Sequence, residues 1–410
     1  MVTENERGVN LTQPVGTGPG GVPALSVDIG TSGPVLSHFE EWDEIRERYA
    51  AFWNDAYGGH WVLTRFDPIR EALQDVETFS TDSTIISDPN PEYLLLPLFL
   101  DPSKHLKYRK LYNARFSPGV VEALTPVARQ ACQDTIDEFI DRGHCDLINE
   151  FADIYPTQVF LIALGLPLDQ APQFVTWVRA IFKGLSGEDV EGAAAAQGEV
   201  TAYFQDLLDQ RRRHPKDPET DMVSYLLDAR IDGEPITQEY LESMLTTLVL
   251  AGLDTTKSQL GYNFYYLASH PEDRRRLAED PTLIPSAIEE LLRANAFVPP
   301  ARKLKKDVEY EGCPMKSGQM VLMPLWSATR DPRAFDDPAT VRFDRENNRH
   351  IAFGAGAHRC AGAHLARREL LIAMQEWHKR IPDYWLASDA PIVEHGWQCG
   401  LDELPLAWTP

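Results

Sequence analysis

The chain has 410 residues and carries 39 Lys+Arg against 62 Asp+Glu, a formal net charge of −23. With 43% apolar and 25% charged residues it has an ordinary globular composition, which excludes intrinsic disorder over most of its length. The acidic balance excludes general binding to nucleic acid or to an anionic membrane surface, since both need basic faces.

Residues 1–33 are polar and rich in Gly and Pro, as in Pro14-Val-Gly-Thr-Gly-Pro-Gly-Gly-Val-Pro23, and are expected to form a tail that packs on the surface or stays mobile. The first residues lack the apolar core of a signal peptide. Gly59 to Arg65 has strand character, and a short amphipathic helix starts at Ile69 and runs to Val76. From about residue 103 the apolar period is helical. Phe151 to Leu164, Gln170 to Gly184 and Ala193 to Arg213 suit helices, and Pro215 and Pro218 stop the last of them. Thr237 to Ser269 is long, apolar and sparsely charged, which predicts a helix through the core. Its strongest apolar run, Met244 to Leu253, ends at Asp254, far short of the roughly 20 residues that span a bilayer. Pro285 to Ala294 predicts another helix. Residues 305–325 alternate as short strands around Gly312 and Gly318, Pro332 to Asn348 is a Pro- and Asp-rich meander, and Ala361 to Arg380 predicts a last long helix. No internal repeat or compositional break divides the chain. The expectation is one large, mainly α domain over 34–410 with minor β-sheets. The cysteines (Cys132, Cys145, Cys313, Cys360 and Cys399) are odd in number and include no close pair, unlike a secreted disulfide framework. A soluble, reduced, cytoplasmic protein is expected.

The segment richest in chemistry is Phe353-Gly-Ala-Gly-Ala-His-Arg-Cys-Ala-Gly362. Its glycines permit tight turns and close approach of the backbone to a bulky group. Cys360 stands where a helix begins, a position that favours the thiolate. Such a thiolate serves as a metal ligand or a nucleophile, the latter with His358 as its base. A zinc site of His358, Cys360 and His364 lacks a Cys-x-x-Cys pair. A dinucleotide fingerprint fails, because Arg359 stands where its third Gly belongs.

The pattern Phe-Gly-x-Gly-x-His-x-Cys-x-Gly, filled at every fixed position, resembles the haem-binding signature of the cytochrome P450 monooxygenases. The resemblance extends from about Phe52 to the C-terminus, with blocks such as Gly59-His-Trp-Val-Leu-Thr-Arg65 and His364-Leu-Ala-Arg-Arg-Glu369 similar to the camphor-hydroxylating branch. It implies a P450 fold enclosing haem b, with Cys360 as the axial thiolate that favours O–O cleavage. Phe353, Gly354, His358 and Gly362 would complete the haem loop. Ala251-Gly-Leu-Asp-Thr-Thr256 resembles the family's acid–alcohol pair. Thr255 would then hold the hydrogen-bond network at the dioxygen site, Asp254 would gate proton entry, and Gly252 would leave room for dioxygen. Glu290 and Arg293 match the family's buried Glu-x-x-Arg pair, and Arg342 the position of its third partner. His105, Arg109, Arg302 and His358 match the cations that hold the two haem propionates. Two departures are Pro300, where the camphor branch carries an acid, and Lys257, a charge placed soon after the acid–alcohol pair.

By the same resemblance Tyr93, Thr247, Leu250, Val298, Trp397 and Gln398 would line the substrate pocket. A compact, mostly apolar substrate with one polar group, a terpenoid or small aromatic, is expected. The chain has no Cys pattern for an iron–sulfur cluster. Electrons would therefore come from an acidic ferredoxin and its NAD(P)H-dependent reductase, acting on a monomer. The charge distribution fits such a partner. Segments 104–115 and 349–368 hold Lys104, Lys107, Arg109, Lys110, Arg115, Arg349, Arg359, Arg367 and Arg368 and no acid, a local +9. A peroxide-driven haem-thiolate hydroxylase and a non-catalytic haem-thiolate sensor are the alternatives. Neither needs the Asp254–Thr255 pair.

Overall fold

The computed structural model describes residues 13–30, 32–185, 189–395 and 400–410. In chain order its helices are α1 (Ser37–Arg48), α2 (Phe66–Gln74), α3 (Pro102–Arg115), α4 (Pro118–Asp137), α5 (Ile154–Leu164), α6 (Ala171–Leu185), α7 (Val190–Arg213), α8 (Met222–Asp228), α9 (Gln238–Ser269), α10 (Pro271–Glu279), α11 (Ile284–Ala294), α12 (Leu325–Thr329) and α13 (Ala363–Arg380). The central helix expected over 237–269 is α9. Thr237 caps it, accepting the Tyr240 N–H through its side chain. Apolar residues surround its axis because it is packed on all sides, by α5, α6, α7, α11 and α13 among others. α3, α4 and α10 each begin on a proline, whose missing N–H costs nothing in a first turn.

A seven-stranded sheet lies to one side of the helices, in the order Gly16–Thr17, Pro23–Leu25, Ala51–Asn54, His60–Leu63, Met320–Leu322, Ala301–Leu304, Phe79–Ser80. Its second and third strands run parallel, with Ala24 opposite Trp53. The part of the expected tail that the structure describes is therefore built into the domain. Ala24, Leu25 and Val27 are buried, so the described part of this segment packs against the rest of the chain. The helix expected from Phe151 is also modified. A π-turn over Ile148–Ala152 precedes α5 and puts Asp153 at the junction, with its side chain turned inward.

The Glu-x-x-Arg pair locks the meander. Glu290 and Arg293 of α11 are both fully buried and joined by two hydrogen bonds of 2.8 and 2.9 Å. Arg293 also donates to the carbonyls of Thr329 and Pro338. The third partner is Arg345, whose guanidinium reaches both Glu290 oxygens at 2.9 and 3.0 Å. Arg342 was expected in this role and does not fill it. Only its backbone N–H reaches Glu290, at 2.9 Å, while its side chain turns to the exposed Asp336. The bend between the two residues turns Arg345 inward. Arg345→Ala should therefore lower stability by about 3–5 kcal/mol, as for breaking a buried ion pair, and Arg342→Ala by less than about 1 kcal/mol. Urea unfolding of the holoenzyme checks this, and the reverse order would restore Arg342 to the triad.

Candidate active site

The loop before α13 is shaped by its glycines. Gly354 and Gly356 both have φ of +71°, and a Cβ on Gly356 would sit 2.6 Å from the Leu73 carbonyl oxygen. The loop closes on itself where the Cys360 N–H donates to the Phe353 carbonyl at 2.9 Å. Cys360 is thereby placed on the wall of a cavity of about 500 Å³, enclosed among α3, α9, α13 and the sheet. Enclosure pushes its thiol pKa up, against the opposite pull of the Gly362 N–H, Arg109, Arg359 and Arg367. Cys132, Cys145 and Cys313 are buried elsewhere, and burial raises the pKa of each. Among the described residues no group of three or more His, Cys, Asp or Glu is arranged to hold a metal ion, so Cys360 has no companions for a zinc site.

Four cationic or protonatable groups face the same cavity: His105 and Arg109 from α3, Arg302 from the sheet, and His358. The His105 and His358 rings lie 3.8 Å apart. Burial, then Arg109 and Arg302, hold the His105 pKa down to about 4; burial, then His105, Arg302 and Arg109, hold that of His358 down to about 3. Arg302 is 5% exposed, and among the described residues its guanidinium donates to its neighbour's carbonyl, that of Ala301, and to no carboxylate. The His105 Nδ1 is buried without a partner. Arg109 donates to the Arg359 carbonyl and so ties α3 to the thiol loop. Pro300 lines the cavity too, so no acid from that position neutralises Arg302. A buried guanidinium without an anion, with the half-buried Arg109 and two histidines beside it and a thiol nearby, fits a flat group that carries carboxylates and a metal. Gly354 and Gly362 line the cavity, and a Cβ on either would meet no protein atom, which leaves space for such a group.

Across the cavity, α9 contributes Gly252 and Thr255. A Cβ on Gly252 would come to 3.0 Å from the Phe160 ring, so packing against α5 is tight here. The Thr255 hydroxyl donates to the Ala251 carbonyl at 2.9 Å, a bond that loosens the helix locally. Asp254 is 9% exposed and does not line the cavity, and its partner is Lys257 on the same helix, whose Nζ lies 2.7 Å from Oδ1. Glu369 of α13, the last residue of the block His364-Leu-Ala-Arg-Arg-Glu369, has a place in the site that the sequence does not assign. It lines the cavity and accepts the Thr256 hydroxyl at 3.1 Å, and burial pushes its pKa up to about 8 against that pull. The sequence signal was a carboxylate on a helix face otherwise made of Leu365, Leu370 and Ile372.

Of the substrate residues, Thr247, Leu250 and Val298 line the cavity. Tyr93 does not. It stands 46% exposed against Phe99, and Leu95, Pro97 and Leu98 of the same loop form the wall instead. Trp397 and Gln398 lie outside the described residues.

A family model described as Cytochrome P450 matches residues 37–377. A protein of Sinorhizobium fredii named Probable cytochrome P450 127A1 is 36% identical over 86% of this chain and 84% of its own length. The mycinamicin IV hydroxylase/epoxidase of Micromonospora griseorubida is 32% identical over 85% and 89%. The crystal structure of CYP101J2 superposes with a TM-score of 0.85 at 30% identity, over 94% of this chain and 97% of that one. The chain belongs to the cytochrome P450 family. It is a haem-dependent monooxygenase whose relatives include named hydroxylases, and among the described residues no helix is long and apolar enough to cross a membrane.

Proposed function

We propose that this monooxygenase hydroxylates, or O-dealkylates, a compact and mostly apolar molecule of the terpenoid or small-aromatic class, with haem b as its cofactor. The observation that carries the substrate class is the cavity wall beyond the thiol loop. Leu98, Phe182, Leu250, Phe297 and Val298 make it apolar, and the Thr247 hydroxyl adds a polar point, although it already donates to the Ser243 carbonyl. Kinship does not narrow the choice, because relatives with names as different as mycinamicin IV hydroxylase/epoxidase and vitamin D(3) 25-hydroxylase are similarly related to this chain.

When bound, haem supplies the activation of dioxygen, one atom entering a substrate C–H bond and the other leaving as water with two electrons and two protons. In this chain Cys360 would hold the iron, and His105, Arg109, Arg302 and His358 would hold the propionates. The Thr255 hydroxyl, freed from Ala251, positions a proton at the cavity. Asp254, one residue before it, brings that proton from the outer side of α9.

The electrons come from an acidic ferredoxin with its reductase, docking on a monomer in the cytoplasm. Several of the nine cations in segments 104–115 and 349–368 are already engaged. Lys107 pairs with Asp232, Arg367 with Glu289 and Arg368 with Glu122, while Arg109 and Arg115 donate to backbone carbonyls. Lys104, Lys110, Arg349 and Arg359 remain exposed, with no ion pair among the described residues, and they are the cations such a partner would meet.

Thr255→Ala should keep haem and substrate binding but divert electrons into peroxide, read as NADH consumed per product formed. Unchanged coupling would remove Thr255 from the proton route. Lys110→Glu and Arg359→Glu should each slow reduction by ferredoxin, more so at low salt. A rate that neither substitution nor salt alters would remove this face from docking. A terpenoid and aromatic library screened for the low- to high-spin shift tests the substrate class, which a library giving shifts only with bulky polar compounds would overturn.

A further inference from the structure

Asp254 and Lys257 lie one turn apart on α9, and Lys257 is only 15% exposed at its side chain. Its Nζ stands 2.7 Å from Asp254 Oδ1 and 3.9 Å from Asp153 Oδ1, between carboxylates of two different elements. Asp153, buried at the junction of the π-turn and α5, also accepts from Arg179 of α6. Arg179 donates as well to Asn149 Oδ1, at 2.5 Å, and both residues are exposed. Charges of alternating sign therefore run inward from the surface as Arg179, Asp153, Lys257 and Asp254, and end beside Thr255.

We propose that Lys257 is a movable arm that controls Asp254: on Asp254 it keeps that carboxylate ionised and turned from the cavity, and on Asp153 it releases Asp254 to take up a proton. The step needs only rotation of the four-carbon lysine stem, since Asp153 Oδ1 lies just beyond hydrogen-bond distance. Burial favours the neutral amine, but Asp254 and Asp153 more than offset this and raise the Lys257 pKa, so the arm stays an ammonium in both positions. Removing a cation 2.7 Å away in a water-poor setting raises the proton affinity of Asp254. The proton comes from water, and Lys257 keeps its own. Lys257 and Asp153 are thus positioning residues that act through Asp254. The proposal rests on Asp254 and Thr255 being the proton route.

The test compares wild-type holoenzyme with Asp153→Asn, Lys257→Met and the double variant. Asp153→Asn leaves the arm on Asp254, so substrate-dependent turnover should slow roughly tenfold, with a larger solvent isotope effect in D2O; in the Lys257→Met background the same change should do nothing. A second reading needs no turnover. In the resting ferric protein, the protonated-carboxyl infrared band that Asp254→Asn deletes should appear at higher pH in Lys257→Met and at lower pH in Asp153→Asn. Lys257→Gln serves the same comparisons if the Met variant folds poorly. An equal effect of Asp153→Asn in both backgrounds, or an Asp254 band that Lys257→Met does not move, would overturn the arm alone. Intact coupling and isotope effect in Asp254→Asn would overturn the proton route and the arm with it.

Discussion

A guanidinium taken out of water without an anion costs several kcal/mol, and Arg302 is buried in that condition beside His105, His358 and Arg109. Burial alone brings the Arg302 pKa down to about 10, despite a distant pull from Asp101. Burial first, and then the neighbouring guanidinium groups, hold the pKa values of the two histidines down. Such an arrangement is favourable only when an anionic group shares the cavity. The carboxylates of haem would satisfy that charge, and Cys360 would hold its iron. Folding and cofactor binding would then be linked, because the charges that make the cavity costly would be the ones that hold the haem.

Two adjacent carboxylates on α11 keep the thiol loop in place. Glu290 faces the meander and gathers Arg293, Arg345, the Arg342 N–H and Asn348. Glu289 faces the other way and accepts two hydrogen bonds from Arg367 and one from His350. Burial pushes the Glu289 pKa up, yet Arg367 and His350 bring it down to about 2. Arg367 in turn covers the Phe353 ring at 4.5 Å, and the Phe353 carbonyl receives the Cys360 N–H. A single helical turn thus connects the packing of the meander to the position of Cys360.

What the sequence made legible was whatever depends on residues close together in the chain. The thiol loop, the α9 helix and the Glu290–Arg293 pair all have their partners within a few positions. Choosing Arg345 over Arg342 required the path of the meander, because the two differ by three positions and both come within reach of Glu290. The strands at Gly16–Thr17 and Pro23–Leu25 pair through the main chain, which leaves little trace in side-chain pattern. Tyr93 is implied by resemblance alone, and the loop that puts Leu95, Pro97 and Leu98 on the cavity wall leaves it outside. The Asp254–Lys257 spacing is visible in the sequence, but Asp153 lies a hundred residues away, and only packing brings it to the same ammonium.

All of this rests on Cys360 being the axial ligand of haem. The absorption spectrum of the reduced holoenzyme with carbon monoxide tests that most directly. Thiolate ligation predicts a strongly red-shifted Soret band that Cys360→His abolishes. A band in the wild-type protein at the position of histidine-ligated haem would contradict the assignment.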